Sequence, residues 1–436
     1  MKNTPPSKSN RQWLTAVVAN PGGEIFELEG YAAVGMSGPV LKPLTADETL
    51  DMPFGSELML LPDRVPVLYN VQNRRFESMT HNPFLPSEKI FPVAAFNSPG
   101  YIVTHISAYQ ATEQSRRLPL FSYGAVGWYR DGFRSAVVCV DRERRQDLRL
   151  MKKRHVNAGV EIMRKKLPGN RLRRHLESCA LTYGCPAGKN FFLGRYEAPL
   201  PTATTCNARC LGCLSLQKHE EISCSQERIS FTPQPEEIAA VALTHIEGVA
   251  KGIVSFGQGC EGDPLLATQV IEPAVRRIRS QTTKGTIHVN TNASLTRELE
   301  KLISAGIDSI RISINSFRDP WYRAYFRPKG YDFSDVMNSI GLSLERGLYV
   351  SINYLNMPGV TDTPEELESL NSFLKTYPIH RIQWRNLNFD PLQYHEVMQH
   401  AAPSGHALGV SYLLKRIKKA YPRLSFGYFN PPKETW

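Results

Sequence analysis

From about residue 194 onward, apolar and polar positions fall into a repeating rhythm. A short β-type run is followed by a longer stretch with helical spacing, and the pair recurs about every 30 residues. The β-type runs are Tyr196–Thr204, Gly252–Phe256, Thr286–Asn290, Ser309–Ile314, Tyr349–Tyr354 and Arg381–Arg385. Helical spacing lies near 236–247, 265–280, 296–305, 332–346 and 364–376. Thr296 and Thr363-Pro364 are suited to start helices. Gly285, Gly306 and Gly347 stand where helices end. Alternation of this kind predicts βα units and a parallel sheet, with the chemistry at the C-terminal ends of its strands.

Residues 1–140 read differently. Trp13–Ala19, Glu57–Leu61, Phe121–Tyr129 and Phe133–Val140 are short β-prone runs divided by Gly and Pro turns, and Asp131-Gly132 is a hairpin signal. A basic helical segment follows over 141–193, broken at Pro168-Gly169. The expected fold class is α/β: a partial (βα)6 barrel of parallel strands over 194–395, preceded by a smaller β-rich domain (1–140) and the basic connector (141–193). Residues 396–436 are expected to cap it, with an amphipathic stretch near 405–420.

Composition narrows the class. Apolar content of 42% and charged content of 21% belong to a globular chain. No apolar run approaches the roughly 20 residues of a membrane helix, and the first residues, MKNTPPSKSNRQ, lack a signal-peptide core. These features predict a cytoplasmic protein without a membrane partner. The net charge of +11 is uneven: thirteen Lys/Arg face four Asp/Glu between Asp141 and His175. Such a stretch is either a solvated helical face or an attraction for phosphate, as in RNA. No RNA-binding aromatic motif accompanies it.

Eight cysteines are too sparse for a disulfide scaffold, and three fall within Cys206-Asn-Ala-Arg-Cys210-Leu-Gly-Cys213, directly after the first predicted strand of the repeat. Three thiolates on a compact loop suit three corners of a four-iron cluster, leaving the fourth iron open. Zinc is the alternative. It calls for a fourth ligand nearby, and His219 and Cys224 are the nearest. Cys179, Cys185, Cys224 and Cys260 are among those outside this motif; ordinary thiols, a second cluster and thiol donors are all open for them, and Cys260 lies inside the loop after the second strand.

The C-x3-C-x2-C spacing in this context resembles the radical S-adenosylmethionine superfamily. The resemblance covers about 194–390 and implies a [4Fe–4S] cluster on Cys206, Cys210 and Cys213. It implies that the open iron chelates S-adenosylmethionine, whose reductive cleavage gives a 5′-deoxyadenosyl radical that abstracts hydrogen from a substrate. It also implies a reductant such as ferredoxin or flavodoxin. The loop Ser255-Phe-Gly257-Gln-Gly259-Cys260-Glu261-Gly262-Asp263-Pro264 resembles the superfamily's Gly-Gly-Glu-Pro segment, with Asp263 in place of Glu. Gly259, Glu261, Gly262 and Asp263 are thereby expected to contact the cofactor's amino group. Ser313 and Asn315 on the fourth strand and Asn353 on the fifth are the other cofactor candidates. Members commonly carry an aromatic residue before the third cysteine; here that position is Gly212.

No catalytic residue and no substrate follow from these motifs. The aromatic and basic run from Trp321 to Tyr331 reads either as a cover for an anionic substrate or as a surface helix and loop. Two other functional readings stay open: a non-catalytic iron–sulfur redox or sensor protein, and an RNA-binding or RNA-modifying protein using residues 141–176.

Overall fold

The computed structural model describes residues 12–144, 147–217 and 222–436. Its second half holds a seven-stranded, all-parallel sheet whose strands neighbour one another in chain order: Glu197–Pro199, Ile253–Phe256, Thr286–Thr291, Ser309–Ile314, Tyr349–Asn356, Arg381–Asn386 and Ser425–Gly427. The end strands do not pair, so the sheet is a partial barrel. Six strands coincide with the expected β runs. The seventh was not expected: three residues between Leu424 and Tyr428 are too few to show a period. The C-terminal segment therefore extends the sheet.

Helices α1 (Lys153–Lys166), α2 (Arg171–Leu181) and α3 (Pro186–Phe192) form the basic connector. The outer layer comprises α4 (Pro235–Gly248), α5 (Thr268–Gln281), α6 (Thr296–Ala305), α7 (Asp319–Phe326), α8 (Phe333–Glu345), α9 (Pro364–Thr376), α10 (Pro391–Ala401) and α11 (Val410–Ala420). α6 ends at Gly306, whose φ of 110° supplies the left-handed turn that stops it. α9 starts on Thr363 with Pro364 at its first position. The apolar faces of all these helices but α10 pack in one large core against one face of the strands, where Val254, Ile287, Ile310, Ile312, Val350 and Ile382 alternate with the polar residues of the other face.

The strands between Thr15 and Cys139 pair antiparallel. The hairpin near Asp131 is shifted by one residue from the expected turn. Tyr129 pairs with Gly132, so Arg130 and Asp131 form the turn, and Arg130 carries the positive φ of 56°. This β-rich region is fused to the partial barrel. Met36, Val67, Ile106 and Tyr123 share an apolar cluster with Leu211, Trp321, Met357 and Phe389. Polar contacts reinforce the seam. The Val103 N–H donates to Asn386 Oδ1 (2.9 Å), and Asn386 Nδ2 and Asn356 Nδ2 donate to the carbonyls of Tyr101 (3.0 Å) and Val103 (2.9 Å). Among the described residues, no helix is long and apolar enough to cross a membrane.

Candidate functional site

The cysteine loop leaves the first parallel strand and is stitched to the loop after the second strand before it reaches Cys206. The Gly262 N–H donates to the Ala203 carbonyl (2.6 Å) and the Asp263 N–H to the Thr205 carbonyl (2.9 Å). Further along, Arg209 N–H donates to the Phe326 carbonyl (2.8 Å) and Leu211 N–H to that of Tyr325 (3.1 Å), so the end of α7 braces the loop. Asn207 ties it to the third strand's loop, donating to Ser294 Oγ (2.9 Å) and accepting from Asn292 Nδ2 (2.8 Å).

Cys206, Cys210 and Cys213 are all partly exposed. The Ala208 N–H donates to Cys206 Sγ (3.4 Å) and Arg228 Nη2 to Cys213 Sγ (3.6 Å). A single zinc ion holds its sulfurs about 3.8 Å apart, given Zn–S bonds of about 2.3 Å. Among the described residues these three sulfurs do not gather within 4.8 Å of one another. A single zinc ion would gather them more closely than this. Burial pushes the Cys206 thiol up to about 12 and that of Cys210 well above its ordinary value. Ionising them here calls for a cation to take up the charge, which a cluster provides. Cys224 is exposed, and His219 lies outside the described residues.

Glu261 and Asp263 act on the chain itself. Glu261 is buried, and its carboxylate accepts four backbone N–H groups: Thr202 (2.7 Å), Ala203 (3.0 Å), Gly257 (2.7 Å) and Gln258 (2.7 Å). It clamps the first two loops together rather than facing the cavity. Burial nevertheless raises its carboxyl to about 7. Asp263 accepts from Leu265 N–H (3.0 Å), Thr291 Oγ1 (2.7 Å) and Asn292 N–H (2.7 Å), tying the second loop to the third strand.

A cavity of about 450 Å³ opens at the strand C-termini, as expected for a parallel barrel. Cys206, Cys210, Gly259, Gly262, Asp263, Ser313 and Asn353 all line it. Cys213 lines a second cavity of about 540 Å³, which Cys210 also borders. Asn315 sits past the end of the fourth strand and turns away, donating to the Trp321 carbonyl (3.0 Å) and the Tyr394 hydroxyl (3.3 Å).

The inner cavity also contains residues that were not among the candidates. Arg311 and Ser313 alternate onto it from the fourth strand, and Arg385 enters from the sixth with its guanidinium 3.5 Å from the Tyr428 ring centroid. Arg311 Nη1 donates to Gln383 Oε1 (2.7 Å). Burial, followed by the nearby Arg385, lowers Arg311 to about 9. Arg311 Nε, Arg385 Nη1 and Asn353 Oδ1 are buried without hydrogen-bond partners. Buried polar atoms in a protein interior are nearly always paired. Orphans around one cavity fit a polar, anionic ligand.

Phe96, Asn97, Pro99 and Ser122 of the β-rich region complete the wall. Tyr325 answers the missing aromatic beside the third cysteine: a β-carbon on Gly212 would stand 3.2 Å from its hydroxyl. In the Trp321–Tyr331 run, Trp321 and Tyr322 are buried, while Arg323, Arg327 and Lys329 line the second cavity. The aromatic half is core and the cationic half faces the opening.

Residues 200–372 match the model of the Radical SAM superfamily. The GTP 3',8-cyclase of Chlorobaculum tepidum is 22% identical over 231 residues, 52% of this chain and 62% of that protein. The GTP 3',8-cyclase of Heliobacterium modesticaldum is 28% identical over 182 residues, 40% of this chain and 50% of that protein. The chain thus spans roughly half to three fifths of the length of these curated relatives. Among solved structures, Streptococcus suis SuiB is 12% identical, with a TM-score of 0.38 and coverage of 72% of this chain and 71% of that one. A radical SAM methyltransferase from Sphaerobacter thermophilus is 14% identical, with a TM-score of 0.35 and coverage of 47% and 64%. Overlays this loose carry no weight for activity. The cofactors that go with the family match are a [4Fe–4S] cluster and S-adenosylmethionine, and the parallel domain, over residues 200–372, is a radical SAM superfamily domain.

Proposed function

We propose that the chain is a radical SAM enzyme in which Cys206, Cys210 and Cys213 hold the cluster and the inner cavity takes S-adenosylmethionine. The carrying observation is that Cys206 and Cys210 share one cavity with partnerless buried polar atoms on the fourth, fifth and sixth strands. When bound, the cluster and S-adenosylmethionine supply radical-initiating reductive cleavage of a carbon–sulfur bond. The chain supplies placement. Gly259 and Gly262 give the backbone close approach to the cofactor, Ser313 and Asn353 offer hydrogen bonds, and Arg311 with Arg385 takes the carboxylate. Glu261, Asp263 and Tyr325 position these groups. Phe96, Asn97, Pro99 and Ser122 shield the cavity from water.

The substrate class this reading favours is anionic and phosphate-bearing. Arg117, Arg209, Arg323, Arg327 and Lys329 line the outer cavity around Cys210 and Cys213, and guanidinium groups match phosphate oxygens. The names of the GTP 3',8-cyclases point to the same chemistry. The electron comes from an external donor such as a ferredoxin or flavodoxin.

Anaerobic reconstitution followed by reduction tests the assignment. S-adenosylmethionine-dependent 5′-deoxyadenosine is expected, and its loss in Cys206→Ala, Cys210→Ala and Cys213→Ala. A fully loaded cluster that neither binds nor cleaves S-adenosylmethionine would favour a non-catalytic iron–sulfur carrier.

A further inference from the structure

A second set of soft ligands gathers away from the cysteine loop, where the connector meets the back of the second loop. His175 and Cys179 stand four residues apart on α2 and so share one face. Cys260 approaches from the loop after the second parallel strand. The Nε2 of His175 and the Sγ atoms of Cys179 and Cys260 all lie within 4.8 Å of one another, and Cys179 Sγ is 3.5 Å from His175 Nε2. Cys179 and Cys260 are buried at 2% and 5% exposure, whereas His175 is half-buried. Cys185, at the start of α3, donates its N–H to the Cys179 carbonyl (2.9 Å).

We propose that His175, Cys179 and Cys260 form a structural zinc site, with Cys185, whose Sγ is not within 4.8 Å of all three, turning in as fourth ligand. The close gathering of the three ligand atoms suits a single ion rather than a cluster. Tetrahedral zinc, with Zn–N near 2.0 Å and Zn–S near 2.3 Å, places a nitrogen and a sulfur about 3.5 Å apart. Thiolates on separate irons of a cluster stand further apart because a metal–metal edge intervenes. Three thiolates and one imidazole form a closed structural set with no open position. Binding releases the thiol protons to solvent.

The ion would pin α2 to the segment carrying Glu261 and Gly262, the residues that join the first two loops. Its role is to hold that segment in register, and it does not depend on the radical reading.

Metal analysis of the anaerobically purified full chain tests the site. About one zinc per chain is expected beside the cluster iron. The Cys206→Ala/Cys210→Ala/Cys213→Ala variant is expected to lose the iron and keep the zinc, which separates this site from the cluster assignment. Cys179→Ser/Cys260→Ser is expected to lose zinc at least tenfold. Because that variant removes two buried groups, His175→Cys provides a milder check: zinc is retained, and cobalt substitution shows stronger thiolate-to-metal charge transfer than in the wild type. Zinc well below stoichiometric with all three thiols open to alkylation would overturn the proposal. So would a Cys179–Cys260 disulfide in the native protein, or iron sufficient for two clusters.

Discussion

Gly262 lies against Thr205 so closely that a β-carbon on the glycine would stand 1.7 Å from the Thr205 carbonyl oxygen. The clash is with backbone, which cannot swing aside as a side-chain tip can. Gly262→Ala therefore forces apart the two loops that carry the cysteines and the glycine–acid motif. The expected cost is about 1–3 kcal/mol, the range for overpacking a close-packed interior. Cluster iron is expected to fall together with the melting temperature. Iron assay and thermal melts on the same preparation check this. Unchanged cluster loading would mean that the junction is not needed to hold the cysteine loop.

That junction was only partly legible in the sequence. The six strands stood out because β-prone runs alternate with long helical spacing, and the cysteine spacing stood out because little else needs three thiols in eight residues. Glu261 shows where such reading stops. A carboxylate in a glycine-rich loop suggests a ligand contact, but pattern alone does not tell a carboxylate facing a cavity from one saturated by four backbone N–H groups. Tyr325 and Gly212 meet across more than a hundred residues, and Phe96 and Ser122 reach the cavity from another region of the chain. Long-range packing places them, and no local period records it. Arg311 did carry a signal: its alternation with Ser313 puts both on one face.

Arg311 and Arg385 yield the next expectation. Two guanidinium groups on one cavity repel each other unless an anion joins them, and each retains a buried nitrogen without a partner. Hydrogen bonds to charged groups contribute about 1.5–3 kcal/mol. Arg311→Gln and Arg385→Gln are each expected to weaken S-adenosylmethionine binding about ten- to hundredfold. Arg385→Lys is expected to recover only part of this, because it loses the planar stacking on Tyr428. Equilibrium dialysis against the reconstituted protein measures it. Cluster absorbance should stay unchanged in all three variants.

The basic connector separates into two kinds of cation. Arg173 is almost buried and pairs with Glu177, which also pairs with Arg164, and Arg171 makes a 2.6 Å pair with Glu237. These are structural. Lys165, Lys166 and Arg174 are exposed. Arg173→Ala is expected to cost on the order of 2–3 kcal/mol, below the 3–5 kcal/mol of breaking a fully buried pair. Lys165→Ala/Lys166→Ala/Arg174→Ala should leave the melting temperature within about a degree, since surface changes are usually small. If this face holds RNA, the same triple variant should lower the logarithmic salt slope of binding by about 0.7 per charge removed. Filter binding at several salt concentrations reads the slope, and an unchanged slope removes the RNA reading of this segment.

Glu366 gives the chain a pH dependence that requires no ligand. Its carboxylate is buried and accepts from Ser316 Oγ, Tyr354 Oη and the Phe317 N–H (2.9 Å). Burial outweighs these bonds and the nearby Arg318, raising the carboxyl from 4.5 to about 7. A folded-state value above the unfolded one means that the protonated form is the one folding favours. Its contribution is complete below about pH 4.5 and is lost as pH rises through about 7. A displacement of this size corresponds to about 3 kcal/mol at most. Glu366→Gln removes the titration. The stability of the variant relative to wild type should therefore improve steadily between about pH 4.5 and pH 7, by on the order of 2–3 kcal/mol, and level off above that. Paired denaturant melts across this range follow the difference. A difference that stays flat with pH would show that the carboxylate is already ionised at pH 4.5 and that its three donors outweigh burial.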